Sequence, residues 1–219
     1  MANSDKYEKE IIESFEKDDK LYAFFPSFSV DTMIGFKSDL GEKQGWNIDE
    51  LTSFSKENTD KKLILSKDKR ELIESFLCLY MDEYIDYDKK TCNFKKESFV
   101  KILELIKENN KNILTKNDIS KEDTYLQKII FSNTGSIMNH MKKYSTNGFF
   151  IKGMPAREGN GSALLPSFTM SISEQSENKE LAWKFIRMFL QDYFQNASKS
   201  FPIKKSCYEN NANNKFDNS

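Results

Sequence analysis

Residues 149–173 read FFIKGMPAREGNGSALLPSFTMSIS, and they gather Gly153, Gly159, Gly161, Pro155 and Pro166 between two runs rich in Phe, Ile and Leu. Glycine supplies left-handed backbone and proline fixes φ, so the stretch predicts a strand, a Gly/Pro loop and a second strand. The pattern then changes. After Ser176, ENKELAWKFIRMFLQDYFQNASK (177–199) repeats Leu181, Phe185, Ile186, Phe189, Leu190 and Phe194 at helical spacing. This predicts one long helix capped by Ser176, whose wide apolar face must be buried against something. Strand, loop, strand and amphipathic helix thus follow one another along this part of the chain. Beyond them, SFPIKKSCYEN (200–210) fits a short strand or turn, and the Asn-rich tail 210–219 reads as disordered.

The rest of the chain mixes helices and extended segments as well. YEKEIIESFE (7–16) places Ile11, Ile12 and Phe15 on one helical face before Asp18-Asp19-Lys20 interrupts it. LYAFFPSFSVDTMIGF (21–36) is aromatic and β-branched with Pro26 inside it, which predicts strand, break, strand. In GWNIDELTSFSKEN (45–58), Asn47 and Glu50 have capping-box spacing, and Trp46 is placed to staple onto Leu51. A helix over 48–57 follows. Two more amphipathic helices are expected, one opened by Asp68 with Leu72, Ile73, Phe76, Leu79 and Tyr80 inward, one carrying Phe99, Ile102, Leu103 and Ile106. Residues 107–123, rich in Lys and Asn, predict a loop leading to a helical stretch around Tyr125 to Ile130.

Composition excludes several functions. Thirty-three basic against 34 acidic side chains, a net charge of -1, give no general attraction to nucleic acid or an anionic membrane. No apolar run reaches the roughly 20 residues of a bilayer span. One histidine, His140, allows no multi-histidine metal site and reads as a helical surface position. Cys78, Cys92 and Cys207 cannot all pair and lack metal-ligand spacing, so they read as small buried or half-buried residues. The first residues, MANSDKYEKEIIESF, carry no signal-peptide pattern.

Five segments in order carry a resemblance: KLYAFFP (20–26), GWNIDEL (45–51), KGMPAREGNGS (152–162), SISEQSENKELAWKFIRMFL (171–190) and FPIKKS (201–206). The succession resembles the family 1 extracellular solute-binding proteins, the group that includes maltose-binding protein. It spans residues 18–209. The resemblance implies an α/β, helix-rich, periplasmic-binding-protein-like (type II) two-lobed fold, here incomplete, as in an internal fragment. Residues 1–30 would end the N-lobe and form the first hinge around Ser27 to Val30. Residues 31–150 would be a helical C-lobe, 151–209 the return into the N-lobe, and 210–219 a disordered tail. The stretch 125–148 departs from the family in lacking a G-x-x-A-M strand. The implied activity is that of the substrate-binding component of an ABC importer: a monomer, extracellular or at the cell surface as many lipoproteins are. It would take a sugar in the interlobe cleft and deliver it to membrane permease subunits. No enzyme activity, cofactor, metal or nucleic acid is implied. The alternative is a helical structural or interaction protein, the remnant of a truncated receptor, without a ligand.

A sugar is neutral, with an apolar face and a ring of hydroxyls, so its receptor needs aromatic platforms and planar hydrogen-bonding groups. The segments expected at the lobe crossings make Tyr22, Phe28, Arg157, Asn160 and Ser162 the candidate ligand-binding residues, Phe28 by stacking and the others by hydrogen bonds. Core packing for Tyr22 and Phe28, and turn roles for Arg157 and Asn160, compete with that reading. Trp46 and Trp183 read as structural. Gly159-Asn160-Gly161-Ser162 lacks the Gly-Lys-Ser/Thr ending of a phosphate loop, and a strand is expected after it. The pairs Asp18-Asp19 and Asp82-Glu83 read as solvated charges at helix ends rather than hydrolase acids.

Overall fold

The computed structural model describes residues 6–65, 69–109, 123–144, 148–159 and 161–216. In chain order its elements begin with α1 (Lys9–Glu13), β1 (Ser27–Phe36), α2 (Lys37–Leu40), α3 (Ile48–Glu57) and β2 (Lys62–Leu65). There follow α4 (Lys69–Cys78), α5 (Met81–Tyr84), the small hairpin β3 (Ile85–Asp86) and β4 (Thr91–Cys92), and α6 (Glu97–Asn109). Next come β5 (Thr124–Phe131), α7 (Thr134–Lys143), β6 (Phe149–Ile151) and β7 (Ala163–Ser167). Last are α8 (Lys179–Met188), α9 (Asp192–Ala197), β8 (Phe201–Pro202) and α10 (Lys205–Phe216). The fold is mixed α/β and rich in helix.

The chain divides into two compact units: Met1–Val30, Phe131–Asn139 and Leu164–Ser219 form the first, Asp31–Ile130 and His140–Ala163 the second. In the second unit the strand order is β2-β5-β1-β6. β2 and β5 run parallel, with Ile64 opposite Leu126, and β6 lies antiparallel on the end of β1, with Ile34 opposite Ile151. Parallel strands need apolar cover. α3 and α4 both pack on α6, which lies on β2. Leu51, Leu72, Phe76, Ile102, Ile106, Leu126, Met33 and Met154 form the core. α3 starts with a complete capping box: the Asn47 side chain accepts from the Glu50 backbone N–H, and the Glu50 carboxylate accepts from that of Asn47. The Ile48 N–H finds the Tyr80 hydroxyl at 3.2 Å, whose ionisation burial pushes up to about 12.

The first unit is built around β8, antiparallel to the start of β1, with Ser27 opposite Pro202 and Phe28 opposite Phe201. Phe25, Phe28, Phe131, Ile186, Phe201, Ile203 and Cys207 are buried here. So is Gln195, 1% exposed, whose amide donates to the carbonyls of Pro26 and Phe189 and accepts from the Lys204 N–H. One planar side chain thus satisfies three backbone groups from three segments.

Several elements differ from expectation. Tyr125 to Ile130 lie in strand β5, not a helix: Thr124, Ile129 and Ile130 are β-branched, and parallel pairing with β2 decides a run that periodicity leaves ambiguous. Residues 21–25 form no strand, only a bridge from Phe24 to Met170, so the extended segment starts after Pro26. The helix after Ser176 is two helices, because the Gln195 amide takes the Phe189 carbonyl where the helical ladder would continue. Ser176 is not its N-cap: α8 is preceded by Asn178, whose N–H the Ser176 hydroxyl accepts. Its apolar face is open, with Leu181 67% and Phe185 57% exposed, although burial was expected. In α6 the inward residues are Ile102, Leu105 and Ile106, and Leu103 faces out. Cys78 and Cys92 are exposed, and only Cys207 is buried. The tail expected to be disordered from residue 210 continues α10 as far as Phe216. Its first turn is anchored by buried Cys207 and by Tyr208 against the Phe201 ring at 5.8 Å, which overrides a weak local propensity. Asp68 and most of the 107–123 loop lie outside the described residues.

Candidate functional site

The glycine loop of the second unit is held by a dense set of backbone bonds. At its root, the N–H groups of Lys152 and Gly153 both donate to the Met33 carbonyl at 2.9 and 3.0 Å. Its arms close where the Met154 N–H donates to the Gly161 carbonyl at 2.6 Å. Two glycines are sterically required. A Cβ on Gly161 would stand 2.0 Å from the Met154 carbonyl oxygen, and one on Gly153, at φ 85°, would stand 2.7 Å from the Gly161 oxygen.

The segment before α3 is stitched to this loop. Gly45 N–H donates to the Lys152 carbonyl and Ala156 N–H to the Trp46 carbonyl. The Trp46 indole N–H donates to the Gly153 carbonyl at 3.0 Å. Trp46 is buried, edge-on to Phe54 at 5.6 Å, and shares the core with Leu51. Lys152 lies over its ring at 4.9 Å and donates to the Lys43 carbonyl at 2.7 Å. Burial, and then the nearby Lys43 charge, hold the Lys152 ammonium below the ordinary lysine pKa.

Between these segments is a recess of about 330 Å³, lined by Gln44, Ile151, Lys152, Gly153, Gly161 and Ser162. Its chemistry is polar and mixed. Gln44 is exposed, and among the described residues its amide has no hydrogen-bond partner. Lys152 has two N–H donors beyond the one given to Lys43. The Ser162 hydroxyl donates to the Thr32 hydroxyl at 2.8 Å, which leaves its own lone pairs free to accept. Among the described residues no aromatic ring lines the recess.

The expected site residues fall as follows. Arg157 and Ser162 are on this loop, Arg157 exposed and without an ion pair among the described residues. Asn160 lies outside the described residues. Tyr22 and Phe28 belong to the first unit: Tyr22 is 64% exposed, while Phe28 is buried with its ring 5.5 Å from that of Phe201. Trp183, also in the first unit, is half exposed over an apolar groove with Ile12, Leu21, Phe24 and Leu190. Gln44 and Lys152 escaped the sequence reading. Both flank segments that it had singled out, Lys152 opening the loop and Gln44 two residues before Trp46, yet adjacency across 108 positions is a property of the fold.

Among the described residues no group of three His, Cys, Asp or Glu side chains could hold a metal ion. No described helix is long and apolar enough to cross a membrane.

No family model matches the sequence, and no curated protein matches it either. Solved structures do. The sugar-binding protein MalE from Xanthomonas citri is 16% identical, with a TM-score of 0.59 over 97% of this chain and 60% of that one. The GacH receptor of Streptomyces glaucescens, solved unliganded and with acarbose, is 17% identical, with a TM-score of 0.53 over 95% and 60%. The cyclic α-maltosyl-1,6-maltose binding protein of Arthrobacter globiformis is 13% identical, with a TM-score of 0.54 over 92% and 57%. The chain therefore spans about three-fifths of the length of these structures. At such identities the likeness is one of fold: a mixed α/β chain that matches part of the two-lobed, periplasmic-binding-protein-like architecture of sugar-binding proteins.

Proposed function

We propose that the chain binds a sugar or oligosaccharide through the glycine-loop recess of its second unit, and serves as the substrate-binding component of an ABC importer. The observation that carries this reading is the set of unspent hydrogen-bonding groups around the recess, on a fold shared with sugar-binding proteins. A saccharide hydroxyl both donates and accepts, and the recess offers both: the Gln44 amide, the Lys152 donors and the Ser162 oxygen. The polyol is neutral, so the Lys152 charge is not called on to neutralise it. Arg157, Asn160 and Ser162 would then be ligand-binding through the loop. Delivery to permease subunits, a location outside the cell or at its surface, and the absence of catalysis belong to the same proposal.

The test is calorimetric titration of the chain with maltose, acarbose, cyclic α-maltosyl-1,6-maltose and cycloalternan. Saturable binding of at least one is expected. Gln44→Ala and Ser162→Ala should each weaken it about tenfold, the loss of one or two neutral hydrogen bonds. Binding that both variants leave unchanged would remove the recess from the site.

A further inference from the structure

The charge on Lys152 is the feature of the recess that a neutral sugar leaves unanswered. Lys152 is 7% exposed, yet it makes no ion pair among the described residues. Its ammonium has only dipolar partners, the Lys43 carbonyl at 2.7 Å and the face of the Trp46 ring. Among the described residues Glu50 is the acidic group that favours the charged form, and its carboxylate is already bonded to the Lys43 ammonium and the Asn47 N–H. Burial and the Lys43 charge outweigh it. A charge withdrawn from water loses free energy that a carbonyl dipole returns only in part, so buried ammonium groups are ordinarily paired.

The surroundings indicate what would pair with this one. Gln44, Ile151, Gly153, Gly161 and Ser162 line the recess with Lys152 and carry no charge, so among the described residues the lining is positive and presents no carboxylate to repel an anion. Lys152 has two N–H groups to spare, and its head stands at the carbonyl of the residue before Gln44, whose amide can donate as well. An ammonium and a planar amide can together hold the two oxygens of one carboxylate. A single positive charge matches a carboxylate, whereas a phosphate dianion would stay in excess. The loop also leads into the strand β7 and not into a helix whose N-terminus would receive a phosphate. At about 330 Å³ the recess is at the small end of the roughly 300–1,000 Å³ range of ligand sites, more than a bare carboxylate fills. The Ser162 oxygen remains to accept from a ring hydroxyl.

We propose that the saccharide taken by the recess carries a carboxylate, as a uronic acid does, and that this group pairs with the Lys152 ammonium. The proposal rests on the saccharide reading of the recess and narrows it to acidic sugars.

The experiment is calorimetric titration of the 219-residue chain with the methyl glycosides of glucuronic and galacturonic acid, with those of glucose and galactose, and with acetate and inorganic phosphate. At least one uronide should bind about tenfold or more tightly than its neutral counterpart, the effect of one charge-assisted pair, and acetate and phosphate should bind far more weakly than that uronide. Lys152→Gln keeps an amide donor without the charge and should bring the ratio of acidic to neutral affinity to about one. Acidic and neutral glycosides bound equally by the unmodified chain would overturn the carboxylate and leave the saccharide reading standing. Acetate or phosphate bound as tightly as the uronide would show an anion site indifferent to the sugar and overturn both. A uronide preference that survives Lys152→Gln, or the binding of neither uronide, would overturn the proposal, while the saccharide reading would still be decided by the four neutral oligosaccharides named above.

Discussion

Asp31, where the chain enters the second unit, shows how one buried group sets a pH response. Its carboxylate meets the Lys128 ammonium at 3.1 Å, Lys128 reaches Glu71 at 4.0 Å, and the other Asp31 oxygen is buried without a hydrogen-bond partner among the described residues. Burial raises the Asp31 pKa above the ordinary 3.8 against the lowering effect of Lys128, because removal from water costs the charged form more than a single ion pair returns. The sign of the consequence is opposite to that of a salt-bridged surface carboxylate. With the folded pKa above the unfolded one, this group's contribution to stability is full below 3.8 and is lost as pH rises through the raised value. A carbon-detected NMR titration should find the Asp31 midpoint above 3.8. Relative to an Asp31→Asn variant, the unmodified chain should lose stability over the same window. A midpoint at or below the ordinary value would show that the Lys128 pair outweighs desolvation.

At the level of elements, the glycine hairpin between β6 and β7 is the piece on which the candidate site depends. Gly161→Ala places a methyl carbon against the Met154 backbone, where no flexible side chain can yield. Urea unfolding followed by circular dichroism should show a loss of about 3 kcal/mol, in the range of an overpacked buried position. Gly159→Ala is a poor comparison, since its φ of 78° strains any side chain even where space is open. This loop was legible in the sequence because glycine and proline spacing reports backbone conformation directly. So was α3, whose capping box is a local code written in Asn47 and Glu50. β5 was not, since TYLQKIIF satisfies a short helix or a buried strand equally, and only its pairing with β2 chooses. The division of the long helix after Ser176 was hidden for a similar reason: the Gln195 amide ends α8 by bonding a carbonyl six residues upstream while it also holds Pro26, 169 residues away.

For the whole molecule, order along the chain carried more than any single motif, and the five ordered segments pointed to the fold now matched in part by solved sugar-binding proteins. The candidate site was legible only by half. Ser162 and Arg157 sit in a loop that its composition singled out in the sequence, and of the two Ser162 lines the recess; Gln44 and Lys152 meet through hydrogen bonds between segments more than a hundred positions apart. The face on α8 was recognised in the sequence as one that needs cover, and the structure leaves it uncovered by the described residues. The most direct test of saccharide recognition at the glycine loop is a nitrogen-proton correlation titration of the labelled chain with maltose, acarbose, cyclic α-maltosyl-1,6-maltose and cycloalternan. Binding at the recess predicts concentration-dependent shifts gathered on the amides of Gln44, Gly153, Gly161 and Ser162 and on the Trp46 indole N–H, which is bonded to the Gly153 carbonyl. Spectra that none of these saccharides perturbs, or shifts gathered away from this loop, would contradict it.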